Sequence, residues 1–296
     1  MIVKCHHELD GNKAAGIDEV TKAKYEENLP GNVKDLIGRM KNQAYKPQPV
    51  KRTYIPKENG KKRPLGIPAY EDKLVQKALS KILNAIYEED FLECSFGFRP
   101  ERSCHDALRL LGQIINRKDI NYVVDTDIKS FFDNVDHGWM MKFIDHRIQD
   151  PNLQRLVSWF LRAGIIEEGI KCDTPQGTPQ GGVCSPIMAN LYLHHVVDLW
   201  FNRIVRKHLK GKIYMVRYAD DIIFCLQYEE DVKRFFRALK RRMTKFSLEL
   251  SEEKTKIVKV SNKSGDEENG TFDFLGFTHY MGRCRDEIKR IKKEDK

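Results

Sequence analysis

The sequence has no apolar run long enough to cross a membrane and no signal peptide at Met1. Read from sequence, the chain is therefore neither membrane-embedded nor secreted, and a cytoplasmic protein is expected. Seven cysteines are present (Cys5, Cys94, Cys104, Cys172, Cys184, Cys225 and Cys284), but no two form a C-x-x-C pair. An odd number at wide spacing excludes a disulfide framework and predicts free thiols in a reducing compartment. Cys5-His6-His7 has no second cluster to complete a metal site, so it reads as an ordinary terminal segment. Internal repeats and low-complexity segments are also missing.

Acid is in short supply. Over 296 residues, 43 Asp and Glu face 52 Lys and Arg, for a net charge of +9. The excess is concentrated: Lys41 to Arg63 holds eight Lys or Arg and one acid, Glu58, and Lys233 to Lys245 holds seven and none. Two basic runs beside an acidic centre suit a protein that grips a polyanion and cuts or joins it. The hydrophobic fraction, 41%, is that of a soluble globular domain, and the length suits one large domain or two subdomains sharing a core.

The first twenty residues are polar, with Gly11 and Gly16, and read as a loop. Asn32 is placed to cap a short helix with Val33, Leu36, Ile37 and Met40 on one face. Five prolines between Tyr45 and Pro68 exclude a helix there, and Glu58-Asn59-Gly60 reads as the tip of a hairpin between "VKRTYIP" and "KRPLGIP". Leu74 to Tyr87 and Ala107 to Ile115 repeat at helical period, while "YVVDTDI" (122–128) reads as a buried strand. Helical pattern returns at Leu153 to Leu161. Ser185-Pro186 predicts the N-cap and first residue of a long helix towards Val205. "KIYMVRY" and "IIFCLQ" make a hairpin around Ala219-Asp220-Asp221, and Val232 to Phe246 gives an amphipathic helix whose polar face is the second basic run. "KIVKV" and "FDFLGF" close the chain as short strands. Helices on one face of a mainly antiparallel sheet make an α+β fold.

Asp127 and the pair Asp220-Asp221 stand in stretches rich in Val, Ile and Tyr. Carboxylates clustered inside a sheet call for compensation, usually a cation. Carboxylates from two neighbouring strands can bridge two Mg²⁺ ions, which serve both ends of an in-line phosphoryl displacement. The three are expected to converge although they lie far apart in sequence.

The surrounding residues resemble reverse transcriptases, most closely those encoded by bacterial group II introns. "RYADD" (217–221) matches the family's YxDD signature, and "DTDIKSFFDNVDH" (125–137) its other metal-binding strand. "TPQGGVCSPIMANLYL" (178–193), "FGFRPERSCHDAL" (96–108), "KRPLGIP" (62–68), "FLGF" (274–277) and "NKAAGID" (12–18) fall in the family's order and cover nearly the whole chain.

The resemblance implies a right-hand polymerase with fingers at 1–100 and 137–182, palm at 101–136 and 183–282, and the start of a linker at 283–296. It implies two Mg²⁺ ions, replaceable by Mn²⁺, held by Asp127, Asp220 and Asp221 with the backbone carbonyl of Ile128. Arg63 and Lys57 would hold the triphosphate, and Phe132 would gate the ribose. Gln180 and Gly181 would lie by nucleotide and template, and Lys254, with Lys256 as rival, would protonate pyrophosphate. Phe274, Leu275, Gly276 and Phe277 would form the primer grip. Implied partners are an RNA template and primer, deoxynucleoside triphosphates and intron RNA, with a homodimer left open and no membrane; the compartment is the bacterial cytoplasm. The family's thumb, DNA-binding and endonuclease segments are absent after "FLGF". A fragment that binds RNA but extends primers weakly or not at all is therefore expected. Alternative readings are an RNA-binding splicing cofactor in which polymerisation is secondary, or a retron, diversity-generating or CRISPR-linked reverse transcriptase.

Overall fold

The computed structural model describes residues 1–56, 60, 62–117, 119–167, 170–172, 176–178, 181–260 and 270–280. The predicted hairpin tip at 58 and 59, Lys57, Gln180 and the segment from 283 lie outside the described residues. In chain order the elements are helices α1 (Ile2–Glu8), α2 (Lys22–Glu26) and α3 (Leu29–Lys41), strands β1 (Val50–Pro56) and β2 (Lys62–Ile67), helices α4 (Tyr70–Tyr87) and α5 (Cys104–Ile115), and strand β3 (Tyr122–Thr126). There follow α6 (His137–Asp145), α7 (Pro151–Leu161), β4 (Ile165–Glu167), β5 (Ile170–Cys172), α8 (Ser185–Leu193) and α9 (Arg206–His208). The chain then forms β6 (Ile213–Tyr218), β7 (Asp221–Leu226), α10 (Glu229–Lys245), β8 (Lys256–Lys259), β9 (Phe272–Phe274) and β10 (Phe277–His279). Among the described residues no helix is long and apolar enough to cross a membrane.

The chain divides into two compact units. The first holds residues 1–92, 129–199 and 243–249. Its sheet runs β2-β1-β4-β5, with β1 antiparallel to β2 and parallel to β4. Its centre is α4, with Leu74, Leu79 and Leu83 almost wholly buried. A buried carboxylate joins α4 to the approach to β1: Asp72 accepts hydrogen bonds from the Tyr45 hydroxyl and from the backbone N–H of Gln48 at 2.8 Å. Burial is the main cause that pushes the pKa of Asp72 up to about 6.

The second unit holds residues 93–128, 200–242 and 250–296. Its sheet, β6-β7-β3-β8, is antiparallel throughout. Both faces of β7 are covered, which explains why "IIFCL" reads as an unbroken apolar run rather than an alternation. Ile223 and Cys225 pack with Val123 against Leu111 of α5 and Phe272 and Phe274 of the terminal hairpin. Phe224 points the other way, onto Phe201 and Phe235.

Four local expectations need correcting. The first residues are not all loop: α1 forms because Cys5 and His6 bury against α4, where the Tyr70 hydroxyl bonds His6 Nδ1 at 2.9 Å. So short a helix has little stability of its own and is a product of tertiary packing. α3 starts four residues earlier than the Asn32 cap implies, with its N-cap at Asn28 and Pro30 in its first turn; the Asn32 side chain donates instead to the Tyr25 carbonyl at 2.9 Å. Cys184 rather than Ser185 takes the N-cap of α8. The long helix also does not stay α. It passes through π turns at His194–Asp198 and Phe201–Val205 before α9.

Tyr45→Phe removes a donor from the buried Asp72 carboxylate and is expected to lower unfolding free energy by about 1–3 kcal/mol in urea titrations. An unchanged midpoint would show that Asp72 does not depend on that hydroxyl.

Candidate active site

The second unit presents a cluster of carboxylates at one end of its sheet. β3 pairs with β7 in a register that sets Asp125 opposite Ile223 and Thr126 opposite Ile222. Continued by one residue, that register brings Asp127 level with Asp221, the first residue of β7. Tyr218 pairs with Asp221, so only Ala219 and Asp220 span the turn between β6 and β7. Because strand side chains alternate, Asp125 and Asp221 project on the face of Ile223 and Val123. That is the face covered by α5 and the terminal hairpin.

A two-residue hairpin requires positive φ at its first central position. Ala219 supplies it at +55°, a left-handed φ costing about 1 kcal/mol for a residue with a Cβ. The side chain of Arg217 stabilises it. It is fully buried, and its Nη1 donates to the Ala219 carbonyl at 3.0 Å. The Arg217 backbone is braced in turn by its N–H to the Cys94 carbonyl (2.8 Å) and by the Phe96 N–H to its own carbonyl (2.9 Å). Gly97 closes the packing: a Cβ there would lie 2.4 Å from the Ala219 nitrogen. The "FGF" and "RYADD" motifs are therefore one structural piece.

Asp221 reaches solvent, yet the protein mass around it, then Asp220 and Asp127, push its pKa up to about 6 against the pull of Lys254. Asp125 is also raised to about 6, by burial first and then by Asp221, with Lys256 opposing and Asp127 and Asp273 adding. Lys254 Nζ lies 2.8 Å from Asp127 Oδ2, and this hydrogen bond is the main reason its pKa is raised. With the lysine side chain 63% exposed, the pair adds little to stability.

The three expected carboxylates thus share one end of the sheet and sense one another. They do not form a tight triad: among the described residues, the group whose ligand atoms all lie within 4.8 Å of one another is His6, His7 and Glu26, in the first unit. Like charges hold the aspartates apart, and Lys254 engages one of them. The Ile128 carbonyl receives no hydrogen bond among the described residues, because the neighbouring N–H of Ser251 goes to the Asp127 carbonyl at 2.8 Å. Carboxylates and a free carbonyl form an all-oxygen donor set, which fits a hard divalent cation such as Mg²⁺ or Mn²⁺.

Arg63, Phe132 and Gly181 belong to the first unit. Gly181, at φ +105°, closes on β2, where a Cβ would meet the Gly66 carbonyl at 2.9 Å, three residues from the exposed Arg63. Phe132 is half-buried in a 3₁₀ turn, its ring 5.3 Å from that of Phe131, and its carbonyl accepts from the Thr178 N–H at 2.8 Å. In the second unit, "FLGF" is a hairpin turn with Leu275 and Gly276 both at positive φ, Phe274 in the core and Phe277 53% exposed. Sequence reasoning missed Asp125, Arg217 and Gly97. The first stood inside a quoted motif, and a glycine between two phenylalanines signalled the third. A buried arginine leaves no local trace.

The raised pKa values of Asp125 and Asp221 fix the sign of a pH effect. Each binds a proton more tightly folded than unfolded, so the stability it contributes is full below the ordinary carboxylate value and is lost as pH rises through about 6. In buffer free of divalent ions, raising pH from 5 to 7.5 is expected to cost about 1 kcal/mol per group after allowance for solvent. Asp221→Asn should flatten this slope in thermal melts; an equal slope would show that the cluster is not strained.

Residues 55–279 match the family model described as reverse transcriptase (RNA-dependent DNA polymerase). The group II intron-encoded protein LtrA of Lactococcus lactis is 46% identical over 165 residues, 55% of this chain and 27% of that protein. Protein YkfC of Escherichia coli is 33% identical over 309 aligned positions, covering 93% of this chain and 78% of that one. The chain therefore spans about a quarter of LtrA and most of YkfC. A telomerase structure from Candida albicans superposes with a TM-score of 0.59 over 90% of this chain and 50% of that one, at 12% identity, a likeness of fold. With this match across most of its length, the chain belongs to the reverse transcriptase (RNA-dependent DNA polymerase) family.

Proposed function

We propose that the chain is the polymerase region of a group II intron maturase. It would join a deoxynucleoside monophosphate to a primer 3′-hydroxyl on an RNA template, and bind intron RNA to aid splicing and retrohoming. The observation that carries this reading is the convergence of Asp127, Asp220 and Asp221 on one end of an antiparallel sheet whose turn is braced by Arg217.

In this reading the second unit supplies the palm and the first the fingers. Asp127 and Asp220 would hold two divalent ions, with Asp221 and the Ile128 carbonyl as further oxygen ligands. When bound, the ions supply Lewis acidity to the attacking hydroxyl and to the leaving pyrophosphate oxygen. Arg63 and Lys57 bind the triphosphate and offset the charge that develops there. Phe132 packs under the ribose, Gln180 and Gly181 align nucleotide and template, and the Phe274–Phe277 turn steadies the primer. Lys254, kept protonated beside Asp127, would give a proton to departing pyrophosphate, a reading that its contact with Asp127 supports.

Mg²⁺ is expected to raise the melting temperature at pH 7.5 and to support primer extension, and Asp220→Ala to remove both effects while the fold survives. Extension by that variant at the parent rate would sink the two-metal reading. Phe132→Val is expected to raise ribonucleotide incorporation relative to deoxynucleotide. The gate assignment is wrong should the ratio of the two efficiencies stay fixed.

A further inference from the structure

The second basic run does more than decorate a helix. α10 packs its apolar side on the sheet through Phe235, whose ring lies 4.6 Å from that of Phe224. Trp200 stacks on Phe235 from outside, with ring centroids 6.1 Å apart and planes inclined by 20°. The three rings form a column from the sheet to the surface. It emerges in a cavity of about 330 Å³, lined by Trp200, Ile204 and Phe235 and rimmed by Arg234, Arg237 and Arg241. Phe224 points to the sheet face opposite that of Asp125 and Asp221, so the cavity is not part of the carboxylate site.

The rim is selectively charged. On α10, Lys233 is paired with Glu229 at 2.6 Å and Lys240 with Glu252 at 2.9 Å. Arg234 and Arg241 are exposed and have no acidic partner among the described residues, and Arg237 donates only to the carbonyl of Lys233. The three arginines recur at i, i+3 and i+7, a row about 10 Å long on one face. The facing wall is formed by Ile204, Val205, His208 and Leu209, and the lysines just beyond it are paired too, Lys210 with Glu230 at 3.4 Å and Lys212 with Asp119 at 2.6 Å. Lys233 and Lys240 are therefore neutralised, while the guanidiniums of Arg234, Arg237 and Arg241 stand open at the cavity.

We propose that this cavity binds a single-stranded segment of RNA, with a base against Trp200 and Ile204 and phosphates along Arg234, Arg237 and Arg241. Aromatic and guanidinium surfaces take unstacked bases, and arginine forks suit phosphate oxygens. The cavity is of nucleotide size and smaller than the trough a helix 10–12 Å across requires, which favours a nucleotide chain over an acidic helix. The inference deepens the reading of the chain as an RNA-dependent polymerase by giving it a second RNA contact, away from the carboxylates.

The test uses the whole chain and a fluorescent oligouridylate, with affinity measured by anisotropy across a salt series. Replacing Arg234, Arg237 and Arg241 together by Gln is expected to weaken binding at least tenfold. It should also lower the slope of log K against log salt by about 2, roughly 0.7 per lost phosphate contact. The triple lysine variant should keep the slope. Lys233→Gln with Lys240→Gln, on the same helix, should leave both values near those of the parent. Cross-linking by 4-thiouridine should fall on the peptide bearing Trp200 and Ile204. Equal effects from the arginine and lysine substitutions would mean a diffuse field and overturn the proposal, as would polyglutamate competing as well as RNA. Asp220→Ala separates the two readings. Extension unaffected by that change, together with arginine-dependent binding, would end the assignment of the carboxylates to polymerisation and leave this one standing.

Discussion

A guanidinium with no exposed surface holds the acidic turn in place. Arg217 is the largest of the fully buried side chains, and it lies within the motif that ends in Asp220 and Asp221. A charge so placed is costly unless hydrogen-bonded. Arg217 Nη1 meets the carbonyl of Ala219, a residue held at a positive φ that alanine adopts at a cost. The strained turn and the buried cation stabilise each other, and the backbone of residues 94–97 locks both. Without this arrangement the two aspartates would stand on a mobile loop. With it they stand on the rigid end of two strands, as a positioned reaction needs.

The same rigidity creates an electrostatic problem. Asp125, Asp127, Asp220 and Asp221 are held within range of one another, and burial first, then their mutual charge, pushes Asp125 and Asp221 up to about 6. Lys254 relieves part of the repulsion by its bond to Asp127. Because the lysine is exposed and reached from the segment before β8, it can leave without disturbing the sheet. Carboxylates held this close together favour a divalent cation between them.

Cation placement follows a comparable division. Lys233 and Lys240 of α10 close ion pairs with glutamates, whereas Arg234, Arg237 and Arg241 have no acidic partner among the described residues. Exposed pairs of that kind contribute little to stability, so the distribution bears on surface potential. It leaves positive charge where an aromatic floor can accept a base.

The sequence by itself determined the α+β class, the antiparallel pairing around "RYADD", the hairpin at 50–67, and the identity of the carboxylates. Each rests on local information: alternation of apolar residues, prolines that forbid helix, and motif chemistry carried on adjacent positions. Helix α1, the three-residue strands β4 and β5, and the π turns after α8 were not legible, because none has local stability. Their hydrogen bonds form only when distant chain supplies the partner. The same holds for the finer features of the site. Gly97 is required by an alanine 122 positions away, and Lys254 meets Asp127 across 127. Tertiary structure alone decided these contacts, since burial and charge pairing depend on which atoms are near in space, and the order of residues leaves that unspecified.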